Sequence, residues 1–238
     1  MRTDPGAPQR GLASVGLCGQ SMLCMEPESG LYKQLWVEFL LLFLAVPLAV
    51  AVFLPPRLLF PALFAFSVIG LLLLARTSGF RWRELVTGRL PWRPIILFTL
   101  VTALASGAVI AATRPEAAFL LPLERPLVFL MIVCLYPILS ALPQELIFRP
   151  LFFRRYGALL PEGRGALLLN AAIFSFAHLM YWSVTVAVMT FAGGVFFAQA
   201  YLRHGFPLAF VLHAVAGWII FGFGLGVYFY SGNVVRPF

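Results

Sequence analysis

Charged residues are scarce in this sequence of 238 residues. They make up 11% of the chain, whereas 61% of the residues are hydrophobic. A soluble domain normally has about a quarter of its residues charged, so this composition excludes a chain whose main solvent is water. The mean hydropathy of +0.94 points the same way. We therefore expect an integral membrane protein.

Cysteine is also scarce, with three residues in the whole chain. Cys18 and Cys24 precede the first apolar run, and Cys134 lies inside another. Their spacing fits neither a disulfide framework nor a metal-binding motif. We expect Cys134 to be a small core residue.

Long apolar runs are abundant, and each is close to the roughly 20 residues that a helix needs to cross a bilayer. We find seven of them: 35–54, 58–75, 95–112, 126–153, 165–182, 184–202 and 206–230. None alternates polar and apolar residues, as the strands of a membrane barrel do. The predicted fold is all-α, a polytopic transmembrane helical bundle of about seven helices.

The chain divides into three predicted regions. Residues 1–30 are rich in Gly, Pro and Ser and have no apolar segment of signal-peptide type, so they are expected to form a flexible tail. Met22 and Met25 offer a later start, which makes an over-called N-terminus the alternative. Residues 31–125 contain the first three transmembrane runs, and 126–238 contain the remaining four.

The net charge of +8 reflects basic residues in the loops. If the N-terminus is cytoplasmic, thirteen of the seventeen Lys and Arg residues fall on that side, and only Arg57, Arg114, Arg125 and Arg236 fall outside. Positive charge marks cytoplasmic loops, so this orientation is favoured. The lipid bilayer accounts for the charge and no nucleic acid is expected. We predict a multi-pass protein of the inner or plasma membrane.

Few ionisable residues lie within the apolar runs, and such residues usually mark function. Glu145 and Arg149 are four residues apart and can pair on one helix face. Counting 1.5 Å per residue from the charged ends puts Glu145 roughly 15 Å deep, His178 roughly 20 Å and His213 roughly 12 Å. These depths are compatible with one site, opening toward the cytoplasm. His204 falls in a loop and is expected to be solvated.

Three segments carry this chemistry, and they read PQELIFR at 143–149, FSFAH at 174–178 and HAVAG at 213–217. They resemble the motifs of the CPBP family of intramembrane proteases, which includes the type II CAAX prenyl endopeptidases. That family has a Glu-Glu-x-x-x-Arg helix, a Phe-x-x-x-His helix and a later His-x-x-x-Asn helix. The similarity covers about residues 126–230.

The resemblance implies that the residues at 144 and 178 activate water and that those at 213 and 217 stabilise the oxyanion. This sequence departs from the pattern, because Gln144 replaces the first glutamate and Gly217 replaces the asparagine. Pro150 also stands where the family often has glycine. A glutamine cannot act as a base, and a glycine has no side-chain donor.

The remaining catalytic candidates are Glu145, His178, His213 and Arg149. Glu145 with His178 could activate water, and His213 could stabilise the oxyanion, helped by water or backbone. Zinc or another divalent metal bound by Glu145, His178 and His213 is the alternative. It would use the only buried carboxylate and leave no separate base, so we expect a reaction without cofactor or metal.

The favoured function is an intramembrane endopeptidase that cleaves membrane-anchored peptides or proteins. A catalytically inactive membrane scaffold is the second hypothesis, because of Gln144 and Gly217. A small proton-coupled transporter is the third, since buried Glu and His residues also form proton relays. The sequence leaves the substrate and the oligomeric state open.

Overall fold

The computed structural model describes residues 29–230 together with Val234 and Pro237. Residues 1–28 of the predicted tail, with Cys18 and Cys24, lie outside the described residues. Within them the chain forms seven long helices and no strand. These are α1 (Gly30–Phe53), α2 (Leu59–Ala75), α3 (Trp92–Thr113), α4 (Pro126–Arg155), α5 (Arg164–Phe176), α6 (Val184–His204) and α7 (Phe206–Gly222).

The protein is an integral membrane protein whose described residues form a helical bundle, as the sequence predicted, and each of the seven apolar runs overlaps a helix. Four helices, α1, α3, α4 and α6, are long and apolar enough to cross a membrane. The helices α2 and α7 are apolar but shorter. Large apolar side chains point outward from the bundle, such as Leu97 at 65% and Leu104 at 74% exposed. Lipid is the solvent that suits such a surface.

Helix α4 is irregular in the region that holds the predicted site. It widens into π-type turns at Pro137–Ala141 and again at Ile147–Arg155. The prolines at 137, 143 and 150 lack the backbone N–H that an α-helix requires, and this loss is a known cause of such local rearrangement. The second wide segment carries Arg149, and its first six residues are buried.

Two helices end before the predicted runs do. Helix α5 ends at Phe176, and a short 3₁₀ turn over Leu179–Tyr181 leads into α6, so His178 lies in the turn rather than on the helix. Trp182 adopts a left-handed conformation with φ of 47°, which reverses the chain direction. Helix α7 ends at Gly222, two residues before a glycine with φ of 98°.

The hairpin of α5 and α6 is the most closely packed pair of helices. A Cβ atom on Gly194 would lie 2.9 Å from the Cα of Ala171, so only glycine permits this approach. The first half of α4 packs more loosely, and no residue of Pro126–Tyr136 is fully buried. The prediction that Cys134 is a core residue is therefore wrong, because its side chain is exposed on this segment.

Two ion pairs connect segments that were predicted to share the cytoplasmic side. Arg154 at the end of α4 binds Glu84 in the α2–α3 loop at 2.6 Å, and Arg155 binds Glu38 of α1 at 2.7 Å. The hydrogen bonds from Arg154 hold the pKa of Glu84 below its ordinary value. These contacts place the start of α1, the α2–α3 loop and the end of α4 at one end of the bundle.

Candidate active site

The carboxylate of Glu145 lies at the centre of a buried ionic cluster. The side chain is fully buried, and its Oε2 accepts a hydrogen bond from Nε of Arg149 at 3.0 Å. A second nitrogen of the same guanidinium contacts Oε1 at 3.3 Å. The i, i+4 spacing on α4 therefore forms the predicted pair, with the two-pronged geometry that suits Arg and carboxylate.

Arg149 is fully buried as well, and neighbouring groups accept further hydrogen bonds from its guanidinium. Its Nη1 donates to the backbone oxygen of Phe148 at 3.1 Å and to Oδ1 of Asn170. Asn170 is held in turn by a bond from Nδ2 to the same oxygen of Phe148 at 2.7 Å. The guanidinium also lies over the rings of Phe174 and Phe197. A buried charge is tolerated only when it is paired in this way.

His213 on α7 is the second partner of Glu145. Its Nδ1 lies 2.9 Å from Oε1 of the carboxylate, so Nδ1 carries the proton and donates. The imidazole stacks on Phe197 with ring centroids 4.8 Å apart and meets the edge of Phe174 at 5.6 Å. These contacts fix the ring and leave Nε2 as its free nitrogen.

His178 is fixed differently, through the backbone. Its Nδ1 lies 2.8 Å from the carbonyl oxygen of Phe174. A carbonyl oxygen only accepts, so Nδ1 carries the proton and Nε2 presents a lone pair in the neutral ring. The ring also packs against Phe174 at 4.8 Å. Phe174 therefore lies between the two predicted histidines and contacts both.

A cavity of about 630 Å³ connects these residues, and all seven helices contribute to its largely apolar wall. His178 and His213 both line it, as do Gln144 and Gly217. Glu145 is fully buried and is not among the residues that line the cavity. Its link to the cavity is the hydrogen bond to His213. The structure thus brings the two histidines and both departing positions together. That the cavity opens toward the cytoplasm stays a prediction.

Gln144 presents an unusual group to the cavity. Its Nε2 donates to the hydroxyl of Ser140 at 3.0 Å, one helical turn earlier on α4. Its Oε1 is buried and has no hydrogen-bond partner among the described residues. A buried amide oxygen without a partner is costly, which favours a bound molecule that donates a hydrogen bond to it.

The arrangement of these side chains does not fit a metal ion. Both oxygens of Glu145 accept hydrogen bonds from Arg149, and Oε1 also faces His213. A cation on this carboxylate would lie against the guanidinium and be repelled by it. In the part of the chain that the structure describes, no three His, Cys, Asp or Glu side chains are placed to hold a metal.

Sequence reasoning missed two members of the site. Asn170 was not among the predicted site residues, whereas it binds Arg149. Tyr136 was not considered, yet it lines the cavity beside His213 at a ring distance of 6.1 Å. Tyr136, Ser140 and Gln144 recur every four residues, and this spacing of polar groups in an apolar run was the available signal.

Comparison with known proteins adds a family match. Residues 124–219 match the family model described as type II CAAX prenyl endopeptidase Rce1-like. The matched range begins just before α4, ends within α7 and includes every residue of the buried cluster. Neither the curated proteins nor the solved structures contain a match to the chain.

Proposed function

We propose an activity for this chain on the basis of the match between residues 124–219 and the family model of the Rce1-like type II CAAX prenyl endopeptidases. The protein is an intramembrane endopeptidase that hydrolyses a peptide bond near a membrane anchor of its substrate. The observation that carries this proposal is the pair of imidazoles, His178 and His213, each with Nδ1 fixed by an acceptor and Nε2 free, on one cavity.

The proposed nucleophile is a water molecule held by His178 and Gln144. The lone pair on Nε2 of His178 accepts a proton from this water as general base. The unpartnered Oε1 of Gln144 accepts its other hydrogen and orients the oxygen for attack. In this scheme the water is the molecule that satisfies Gln144, and the glutamine directs the water without deprotonating it.

In this scheme Glu145 is a positioning residue. His213 stabilises the negative charge that develops on the carbonyl oxygen of the substrate. When its ring is protonated, His213 donates from Nε2 to the oxyanion while Nδ1 stays on Glu145. Arg149 balances the carboxylate and keeps it from leaving His213. The sequence-based hypothesis paired Glu145 with His178 for water activation. We now favour His178 alone as the base, because the partner of Glu145 is His213.

The proposed substrate is a peptide held in the bilayer by an apolar group. The cavity is within the membrane-spanning bundle and its lining is mostly apolar, which suits a lipid-modified or transmembrane segment. The reaction needs no cofactor. The positive loops favour a cytoplasmic N-terminus and a site that processes the cytoplasmic end of its substrate.

The activity is tested with the full chain purified into lipid nanodiscs. One probe is a prenylated peptide with a CAAX tail and the other is an unmodified transmembrane peptide, with products identified by mass spectrometry. We expect wild type to cleave a membrane-anchored probe and His178→Ala and His213→Ala to lose about 10²–10⁴-fold in kcat. His204→Ala, the third histidine of the chain, is the matched control and should retain full activity.

The catalytically inactive scaffold is the second candidate, and Gln144 is the observation that favours it. The absence of cleavage of both probes by wild type, in protein that is folded and monodisperse, would favour the scaffold and refute the proposed activity.

A further inference from the structure

Tyr136 is a second polar residue beside His213 in the cavity wall, and it belongs to α4. Tyr136 of α4 contacts the edge of His213 at a ring distance of 6.1 Å and the edge of Phe221 at 5.8 Å. Its ring therefore packs against α7 through residues on either side of Gly217. Both Tyr136 and Gly217 line the cavity.

Gly217 provides the space that the tyrosine ring occupies. A Cβ atom at position 217 would overlap Cε1 and Cζ of Tyr136, so any other residue there displaces the ring. Gly222, five residues further along α7, lacks this constraint, because its Cβ would meet Phe129 at an ordinary 3.4 Å. The glycine at 217 and the tyrosine at 136 are thus a matched pair in shape.

Tyr136 is the first of three polar side chains that share one face of α4. Tyr136 and Ser140 are four residues apart on α4, so their side chains lie on one face of the helix. Ser140 is bound to Gln144, so a row of polar groups runs along α4 from Tyr136 to the proposed water. A phenol O–H offers one donor, and the packed ring restricts where that donor can lie, as an oxyanion site requires.

We infer that Tyr136 is a catalytic residue whose hydroxyl donates the second hydrogen bond to the oxyanion, opposite His213. This inference rests on the proposed function. It assigns an oxyanion donor next to Gly217, where the sequence analysis found that the family's asparagine donor is missing. Gly217 removes a side-chain donor from α7, and Tyr136 supplies a donor to the same region from α4.

The chemical step proceeds with all atoms accounted for. The water oxygen forms a bond to the carbonyl carbon of the scissile amide, one water proton passes to Nε2 of His178, and the carbonyl π electrons move to the oxygen. His213 and Tyr136 donate hydrogen bonds to that oxygen. The carbonyl then re-forms, the C–N bond breaks, and the proton on His178 passes to the leaving nitrogen, giving a carboxylic acid and an amine.

The test compares Tyr136→Phe with Tyr201→Phe, a tyrosine that stacks on Phe153 and is not among the residues lining the cavity. We expect Tyr136→Phe to lower kcat by about 10²-fold with KM unchanged, since it removes one oxyanion donor and keeps the ring. Tyr201→Phe should match wild type. Unfolding temperatures of all variants are measured in parallel.

A swap variant keeps the inference testable if the single variant folds poorly. Gly217→Asn alone should be inactive because the side chain collides with Tyr136, whereas Tyr136→Ala combined with Gly217→Asn should recover activity by returning a donor to α7. Gly222→Ala should be tolerated.

Three results have distinct meanings. Loss in Tyr136→Phe, or recovery in the swap variant, supports the inference. Wild-type kcat in Tyr136→Phe overturns it and leaves the proposed function intact. A wild type that cleaves neither peptide refutes the proposed function, and the inference with it.

Discussion

His213 and Glu145 are 68 positions apart in the chain, and they meet through a hydrogen bond of 2.9 Å in the membrane interior. The same carboxylate is held by Arg149 from its own helix. One buried anion thus connects α7 to α4 and fixes the direction of an imidazole that lines the cavity. Several measurable consequences depend on this connection.

The first prediction concerns the stability of the buried pair. Arg149→Met leaves a buried carboxylate without its cation, and Glu145→Gln leaves a buried cation without its anion. Each change should lower the free energy of unfolding by about 3–5 kcal/mol, because an uncompensated buried charge is strongly unfavourable. The double variant should lose less than the sum of the two. Unfolding in detergent as a function of denaturant measures all three.

The matched control is the exposed pair of Arg154 and Glu84, with side chains 47% and 26% exposed. Arg154→Met should cost no more than about 1 kcal/mol, since solvent screens such pairs. Equal losses at the buried and exposed pairs, or full additivity at the buried pair, would contradict the cluster described here.

The second prediction is a gain of activity. Gln144→Glu places a carboxylate where the structure has an unpartnered amide oxygen, on the cavity that His178 also lines. A carboxylate can accept the water proton as well as orient the water, so kcat should rise by about tenfold or more. Gln199→Glu on α6, outside the cavity, makes the same chemical change and should bring no gain. A Gln144→Glu variant that folds and is no faster than wild type would count against water at this position.

The third prediction is that hydrolysis survives removal of metal ions. The carboxylate of Glu145 is held by Arg149 and His213, and this occupation leaves no suitable zinc ligand set. Activity should be unchanged after exhaustive dialysis against chelators, whereas His178→Ala should still abolish it. Inactivation by chelators with recovery on stoichiometric zinc would establish Glu145 as a ligand and reject the mechanism.

The fourth prediction concerns residues 1–24, which carry no part of the sequence motifs. A chain that begins at Met25 should insert into membranes and cleave the same peptide at the same rate as the full chain. Comparing the two in membranes and after purification measures both properties. Loss of insertion or of activity would give the tail a function.

The sequence was sufficient to predict the helices, because hydropathy over about 20 residues is a local property of the chain. It also identified the pair of Glu145 and Arg149, whose contact depends only on helical spacing. The partner of Glu145 was not predictable, since it depends on how α4 and α7 pack. The turn at His178 depends on the left-handed backbone conformation of Trp182, which a hydropathy pattern does not reveal.

The contact between Tyr136 and Gly217 was hidden for a related reason. From the sequence alone, Gly217 indicates only that a side-chain donor is missing. The space that a glycine leaves becomes informative once the residue that fills it is known. In the structure that space is filled by Tyr136 of α4, about 80 positions earlier in the chain. Departures from a motif are therefore best interpreted together with the side chains that fill the space they leave.

The most direct test of the account is cleavage of a membrane-anchored peptide in water enriched in ¹⁸O, with wild type and His178→Ala in nanodiscs at equal concentration. Wild type should release two fragments, and the new carboxyl group should carry ¹⁸O, because solvent water is the nucleophile. His178→Ala should release none above background. Intact peptide in the wild-type sample, or equal cleavage by His178→Ala, would contradict the assignment of this cavity as a protease active site.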